Sequence, residues 1–235
     1  MRNNRTRVRS NERGRVRQAR RRLLLLELGL LLVGCGHQSP AAPLSSGASP
    51  AVAIDAVRVL QLMPTDYQHR LVEYAVIDRP NDGGGTIRHA YVNREALAVV
   101  QQGTELPSGT VIVMEQYLAK RGSDGALLQD SQGKLVIDHL DKLLVRAKLP
   151  AGETVAGDQL PASLRNGQWV YATFDPANRQ RDSLNATVCN ACHQQAKDRD
   201  YLFTQSDLTV ASQQHIPHYS LCELSGRQSC ARPRP

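Results

Sequence analysis

Apolar and polar residues alternate along two short segments, residues 71–77 and 86–92, with the two-residue period of a half-buried β-strand. The residues between them, 78–85, are rich in Asp, Asn, Pro and Gly, which favour turns. The pattern therefore predicts two neighbouring strands that are joined by this loop.

A third strand is predicted at residues 110–118. Before it, Asn93 can cap a short helix that extends to about Gln102, and residues 106–109 favour a turn. The third strand presents one set of side chains on a single face: Thr110, Ile112, Met114 and Gln116.

Two further strands are predicted at residues 134–149 and 167–174, and a helix is predicted at residues 189–199. A mostly antiparallel sheet with a few helices segregated from it belongs to the α+β class. We therefore expect an α+β domain.

The positive charge of the chain is concentrated before Cys35. The 235 residues include 29 Lys and Arg against 22 Asp and Glu, a net charge of +7, but ten of the basic and two of the acidic residues precede Cys35. The rest has 19 basic and 20 acidic residues and lacks the positive footprint that nucleic-acid binding requires. We therefore expect no nucleic-acid partner.

Residues 1–34 predict a lipoprotein signal peptide. An Arg-rich segment precedes the apolar run 23–33, which is as long as a signal-peptide h-region and too short to span a bilayer. Glu27 interrupts this run at a cost of about 2.5–3.5 kcal/mol, which the surrounding leucines can offset. The run ends in Leu-Val-Gly-Cys, which resembles the lipobox of bacterial lipoproteins, so Cys35 would carry the lipid. A buried hydrophobic helix is the alternative.

Residues 35–50 are rich in Pro, Ser, Gly and Ala and predict a flexible tether. The residue after Cys35 is Gly36. In typical lipoproteins an Asp at this position causes retention at the inner membrane. We therefore expect an anchor that faces the periplasm, on the outer membrane, where disulfides persist.

Cys189 and Cys192 lie in the sequence Cys-Asn-Ala-Cys-His, which has the form of a c-type haem attachment motif. In this motif two thiols add to the haem vinyl groups, and the following imidazole, here His193, reaches the iron from the same short helical segment. A thioredoxin-like redox pair shares the spacing, but no βαβ unit precedes it. A zinc site is the other alternative and would need further ligands.

The remaining two cysteines, Cys222 and Cys230, are most simply a disulfide that closes a small loop in a polar C-terminal tail, residues 211–235. A zinc site in this region would have to recruit His215 or His218.

Several blocks between residues 64 and 204 resemble the cytochrome P-460 family, which includes the β-sheet cytochromes c′ (cytochrome c′-beta). The blocks are PTDY at 64–67, IRHAYVN at 87–93, GTVIVME at 109–115, GQWVYATF at 167–174, CNACH at 189–193 and KDRDYLFT at 197–204. For residues 51–210, the resemblance implies a five-stranded antiparallel sheet with a few packed helices, and a homodimer. It also implies one covalent haem c, five-coordinate, with His193 as the proximal iron ligand.

Two residues in these blocks bear on function. Members of the family that oxidise hydroxylamine have a lysine bonded to the haem at the position of Met114, and a thioether cannot form that bond. We therefore expect no crosslink and little or no hydroxylamine oxidation. Met114 is either a sixth iron ligand or apolar packing against the haem edge. Arg88 matches the family's arginine and faces a propionate, a distal ligand or solvent.

The resemblance to the cytochrome c′-beta branch implies a haem that binds nitric oxide or a similar diatomic ligand at an apolar open face. We therefore expect a lipid-anchored periplasmic cytochrome with this activity, and we expect the second nitrogen of His193 to donate to a carbonyl or carboxylate. The alternatives are a hydroxylamine-oxidising or peroxidase-like oxidoreductase and a six-coordinate electron-transfer cytochrome with a periplasmic redox partner. The sequence assigns no catalytic residue.

Overall fold

The computed structural model describes residues 54–100, 104–155, 160–182 and 186–223. The predicted signal peptide and tether, Cys35 and Cys230 lie outside these residues. Within the described ranges, no helix is both long enough and apolar enough to cross a membrane.

Six strands form one mixed sheet in the order β5-β4-β3-β2-β1-β6. The strands are β1 Val72–Arg79, β2 Thr86–Val92, β3 Val111–Ala119, β4 Ile137–Lys148, β5 Trp169–Phe174 and β6 His218–Leu221. Strands β1 to β5 pair antiparallel with their neighbours, as the alternating segments predicted. The α+β class is confirmed.

The prediction of a five-stranded antiparallel sheet is wrong, because a sixth strand, β6, pairs in parallel with β1. A strand of only four residues shows too little alternation to be predicted from sequence. It is held at the sheet edge by Asp78, whose Oδ2 accepts from the Tyr219 hydroxyl at 2.9 Å and whose carbonyl accepts from the Cys222 N–H at 2.8 Å. The sheet therefore extends beyond the predicted domain limit at residue 210.

Short helices connect and cover the strands. The described residues form α1 Ala56–Val59, α2 Tyr67–Arg70, α3 Arg94–Val99, α4 Ala186–His193 and α5 Gln205–Gln214, with 3₁₀ helices at Ala162–Leu164 and Gln194–Arg199. The predicted helix at 189–199 thus begins three residues earlier and continues as 3₁₀ helix after His193.

Asn93 precedes α3, as expected, but its side chain does not cap that helix. Its Oδ1 instead accepts from the Val111 N–H at 2.8 Å, so the side chain ties the start of α3 to the start of β3. The predicted start of the helix is therefore confirmed, but the helix ends at Val99 rather than near Gln102, and the predicted capping role of Asn93 is wrong.

The two faces of the sheet support two apolar clusters, and β3 contributes to both. Val111 and Val113 pack with the segment that joins α1 to α2, through residues such as Leu60 and Met63. Ile112 points the other way and packs with residues of α5 and of the segment that follows α4, such as Leu202 and Leu208. This second face is the one that carries the candidate site.

The first face holds a buried carboxylate, Glu115, which is 1% exposed. Its Oε1 accepts from the Tyr67 hydroxyl and from Gln68 Nε2, and its Oε2 accepts from the hydroxyls of Tyr117 at 2.8 Å and Tyr91 at 3.1 Å. Four donors around one carboxylate offset much of the cost of removing it from water.

Burial raises the pKa of six of the seven tyrosines above their ordinary value, with Tyr171 and Tyr219 at about 12. The others are Tyr67, Tyr74, Tyr91 and Tyr117. Unfolded tyrosines ionise near pH 10, so above that pH the folded state keeps protons that the unfolded state has lost. We therefore expect stability to fall as the pH rises from about 10 to 12.

A spectrophotometric titration of tyrosine measures this effect. At about pH 11 we expect most tyrosines of the native protein to remain protonated, whereas those of the denatured protein are largely ionised. Equal phenolate absorbance in the native and the denatured sample at that pH would contradict the burial of these six hydroxyls.

Candidate functional site

A cavity of about 640 Å³ lies against the second face of the sheet, a size typical of ligand-binding pockets. It brings together five residues that the sequence singled out: Arg88 and Met114 from the sheet, and Cys189, Cys192 and His193 from α4. These residues come from distant parts of the chain, so the fold is what assembles them.

Helix α4 directs its three residues to one side because they are spaced three and four positions apart. Cys189 and Cys192 are half-buried, and neither is disulfide-bonded. His193 is the last residue of the helix. Two thiols and an imidazole therefore line one end of the cavity.

The imidazole of His193 is held in a fixed orientation. Its Nδ1 lies 2.7 Å from the carbonyl oxygen of Tyr201, to which it donates, and its ring contacts the rings of Tyr171 and Phe203, with both centroid distances at 4.9 Å. The carbonyl is a partner of the kind expected from the sequence. With Nδ1 so engaged, Nε2 is the nitrogen left to bind a metal.

Burial lowers the pKa of His193 to about 3, with a further lowering by the charge of Arg146 and a partial opposing effect of the hydrogen bond to Tyr201. The imidazole is therefore neutral at ordinary pH. Neutral imidazole is the form that binds a metal ion.

Arg88 is directed into the cavity rather than into solvent. Its Nε and Nη2 donate to Gln116 Oε1 at 3.2 and 3.0 Å, and Nη2 also donates to Asp82 at 3.1 Å. Burial lowers the pKa of Arg88 to about 10, which still leaves it cationic at neutral pH. Asp82 also pairs with Arg79 at 2.9 Å, so two guanidinium groups share one carboxylate.

The cavity wall is mixed, whereas the sequence predicted an apolar face. Met114, Ile112 and Leu144 supply apolar surface, and Arg88 and Arg146 border it. The difference arises because Arg146 lies two positions after Leu144 on β4, and side chains two positions apart on a strand point to the same face of the sheet.

These residues fit the chemistry of a haem. Two thiols can bond to the vinyl groups, the imidazole can bind the iron, and the apolar wall can contact the macrocycle. Three arginines, Arg79, Arg88 and Arg146, line the same cavity and can pair with the propionate carboxylates.

Sequence reasoning missed several residues that shape the site. Arg146 lines the cavity, 7% exposed, and its Nη1 donates to the Tyr201 carbonyl at 3.2 Å. The two-residue period of β4 could have placed Arg146 on the cavity face. Nothing in the sequence shows that it shares the Tyr201 carbonyl with His193. Tyr171 and Phe203 lie within the blocks that resemble the family, but the sequence does not identify them as the residues that flank His193.

Cys222 is buried and disulfide-bonded, which removes it from the zinc site considered as an alternative. Its predicted partner, Cys230, lies outside the described residues, so that pairing stays a prediction. Over the described ranges, no group of three or more His, Cys, Asp or Glu side chains is arranged to hold a metal ion.

A family model for Cytochrome P460 matches residues 64–204, a range that contains Arg88, Met114, Cys189, Cys192 and His193. No curated protein matches the chain.

Proposed function

Since the chain belongs to the cytochrome P460 family, which implies a haem cofactor, we propose that it is a periplasmic, lipid-anchored cytochrome with one covalent haem c. We further propose that it binds nitric oxide or a similar small diatomic ligand at an open iron site and has no haem–lysine crosslink. The observation that carries the proposal is that one cavity contains Cys189, Cys192, His193 and Met114.

The cysteines and the histidine of the haem motif have distinct roles in this proposal. The thiols of Cys189 and Cys192 hold the haem covalently, and Nε2 of His193 binds its iron. The Tyr201 carbonyl accepts from Nδ1, which fixes the ring and makes the imidazole more electron-donating. When bound, the haem supplies the iron position at which a diatomic ligand binds.

The apolar part of the wall favours a small, neutral ligand. Burying a charged ligand beside Met114, Ile112 and Leu144 would require a compensating partner. The cations of the cavity lining are Arg79, Arg88 and Arg146, and in this proposal they pair with Asp82 and the haem propionates rather than with the ligand. Nitric oxide and carbon monoxide need no such partner because neither carries a charge.

The proposed location rests on the N-terminal sequence and on cysteine chemistry. Cys35 ends a lipobox-like sequence, and residues 35–50 have the composition of a polar tether. A disulfide-bonded Cys222 fits an oxidising compartment such as the periplasm. The homodimer is proposed from the family resemblance alone, and a periplasmic redox partner belongs to the electron-transfer alternative.

Ligand binding tests the proposal directly. The protein is produced with the cytochrome c maturation machinery, reduced without oxygen and titrated with nitric oxide while the haem absorption is followed. We expect a saturable shift at one ligand per haem and no sustained hydroxylamine oxidation with an artificial electron acceptor. Haem absorption that nitric oxide leaves unchanged, or sustained hydroxylamine turnover, would contradict the proposal.

A second candidate function, electron transfer, is favoured by the presence of Met114 in the same cavity as His193. A methionine sulfur that bound the iron would close the sixth position and raise the reduction potential. The substitution Met114→Leu separates the two functions, because leucine fills a similar volume but has no sulfur.

For the Met114→Leu variant we expect the same high-spin ferric spectrum as in the wild-type protein, because the open-site proposal gives the sulfur no bond to the iron. Optical spectra of both ferric proteins are the measurement. A low-spin wild-type protein that becomes high-spin on substitution would instead identify the protein as a six-coordinate carrier.

A further inference from the structure

The turn at Asp200 and Tyr201 joins the candidate haem motif to a buried ion pair. Both residues have positive φ, 51° and 60°, a region that residues other than glycine rarely adopt. Asp200 ends the 3₁₀ helix that follows His193. A conformation of this kind persists only where the surrounding structure enforces it.

The carboxylate of Asp200 is the group that anchors this turn. The whole residue is 7% exposed. Its Oδ1 and Oδ2 accept from Lys148 Nζ, both at 3.0 Å. Oδ1 also accepts from Trp169 Nε1 at 3.1 Å, and Oδ2 accepts from the Leu106 N–H at 2.8 Å. The turn is therefore tied to β4, to β5 and to the loop that precedes β3.

The next residue of the turn contacts the candidate iron ligand. The Tyr201 carbonyl accepts from His193 Nδ1 at 2.7 Å and from Arg146 Nη1 at 3.2 Å. Arg146 and Lys148 are two positions apart on β4, so both side chains lie on the same face of the sheet. One strand thus holds two consecutive residues of the turn.

We propose that Asp200, with Lys148 and Trp169, is a positioning residue that sets the hydrogen bond of His193 and thereby the properties of the iron that His193 binds. This inference rests on the proposed function. A hydrogen bond from the ligating histidine to a carbonyl increases the electron donation of the imidazole. If the turn relaxes, the Tyr201 carbonyl moves away from Nδ1, and the imidazole donates less electron density to the iron that it binds.

The variant Asp200→Asn tests this inference in the haem-loaded protein. The amide keeps the shape of the side chain but removes the charge that Lys148 meets. We expect a lower iron–histidine stretching frequency in the resonance Raman spectrum of the ferrous protein and a higher reduction potential. Wild-type values of both quantities in a haem-loaded Asp200→Asn protein would overturn the inference.

The control is Asp78→Asn. Asp78 is a buried carboxylate, 1% exposed, that also accepts from a main-chain N–H, that of Leu135 at 2.7 Å, and from a side-chain donor, the Tyr219 hydroxyl. It is part of β1 and does not contact the turn. We expect this variant to be less stable but to keep the wild-type stretching frequency and potential. A shift as large as that of Asp200→Asn would mean that any loss of stability moves both quantities, and would overturn the inference.

If Asp200→Asn does not take up haem, Trp169→Phe decides the question. This variant removes one donor to Asp200 and retains an aromatic ring in the core. We expect smaller shifts in the same directions, and unchanged values in haem-loaded Trp169→Phe would overturn the inference.

Failure of the proposed haem attachment is recognised separately, because the wild-type protein would then take up no haem. The haem-free protein still reports on the positioning role through the exchange of the His193 Nδ1 proton with solvent, measured by NMR. We expect slow exchange in the wild type and faster exchange in Asp200→Asn. Equal exchange rates would overturn the inference.

Discussion

Replacing both Cys189 and Cys192 by serine is expected to abolish covalent haem attachment. A serine hydroxyl does not form the thioether bonds through which the two thiols would hold the vinyl groups. His193 remains in the double variant, so haem can still enter the cavity, but it is lost when the protein is denatured. We expect complete loss of haem staining on a denaturing gel.

The matched control for this experiment is the pair Cys222→Ser and Cys230→Ser. It removes two cysteines from the same chain, and Cys222 is not among the residues that line the cavity. We expect this control to keep wild-type haem staining per molecule. Staining that survives in the Cys189 and Cys192 double variant would contradict the assignment of the attachment site.

Replacing Glu115 by leucine is the change with the largest expected effect on stability. It leaves the Tyr67 hydroxyl and Gln68, Tyr91 and Tyr117 without their acceptor, and Tyr67 is 3% exposed and cannot turn to water. A buried donor without a partner costs about 1–3 kcal/mol. We expect a loss of about 2–5 kcal/mol, which is a large part of the stability of a typical domain.

Denaturant unfolding of the haem-free protein measures this loss. The matched control is Glu115→Gln, which keeps the shape of the side chain and one acceptor oxygen, and we expect it to lose about 1 kcal/mol. A Glu115→Leu protein within about 1 kcal/mol of the wild type would show that the four donors find other partners or water.

The parts of the fold that were predictable are the long apolar segments bounded by turn residues. Strands β1, β2 and β3 are each seven or more residues long and rich in apolar residues, and their limits lie close to the predicted ones. Strand β6 was not predictable because it is short and is stabilised by non-local contacts with β1. Helix α5 was missed as well, and its mixed polar composition gives no clear apolar stripe.

The candidate site, like the fold, was predictable only in part. Cys189, Cys192 and His193 could be identified because their spacing is a chemical requirement of haem attachment. Arg88 and Met114 were found only through the family resemblance. The residues that orient His193, such as Arg146 and Asp200, act through contacts between distant parts of the chain, so no pattern in the sequence marks them.

The central claim is that the cavity holds one haem, covalently bound through the motif on α4. Mass spectrometry of the wild-type protein, matured with the cytochrome c machinery, tests it most directly. We expect an intact mass increased by one haem, and a peptide containing residues 189–193 that carries the whole increase. An intact mass equal to that of the polypeptide alone, or a haem on another peptide, would contradict the claim.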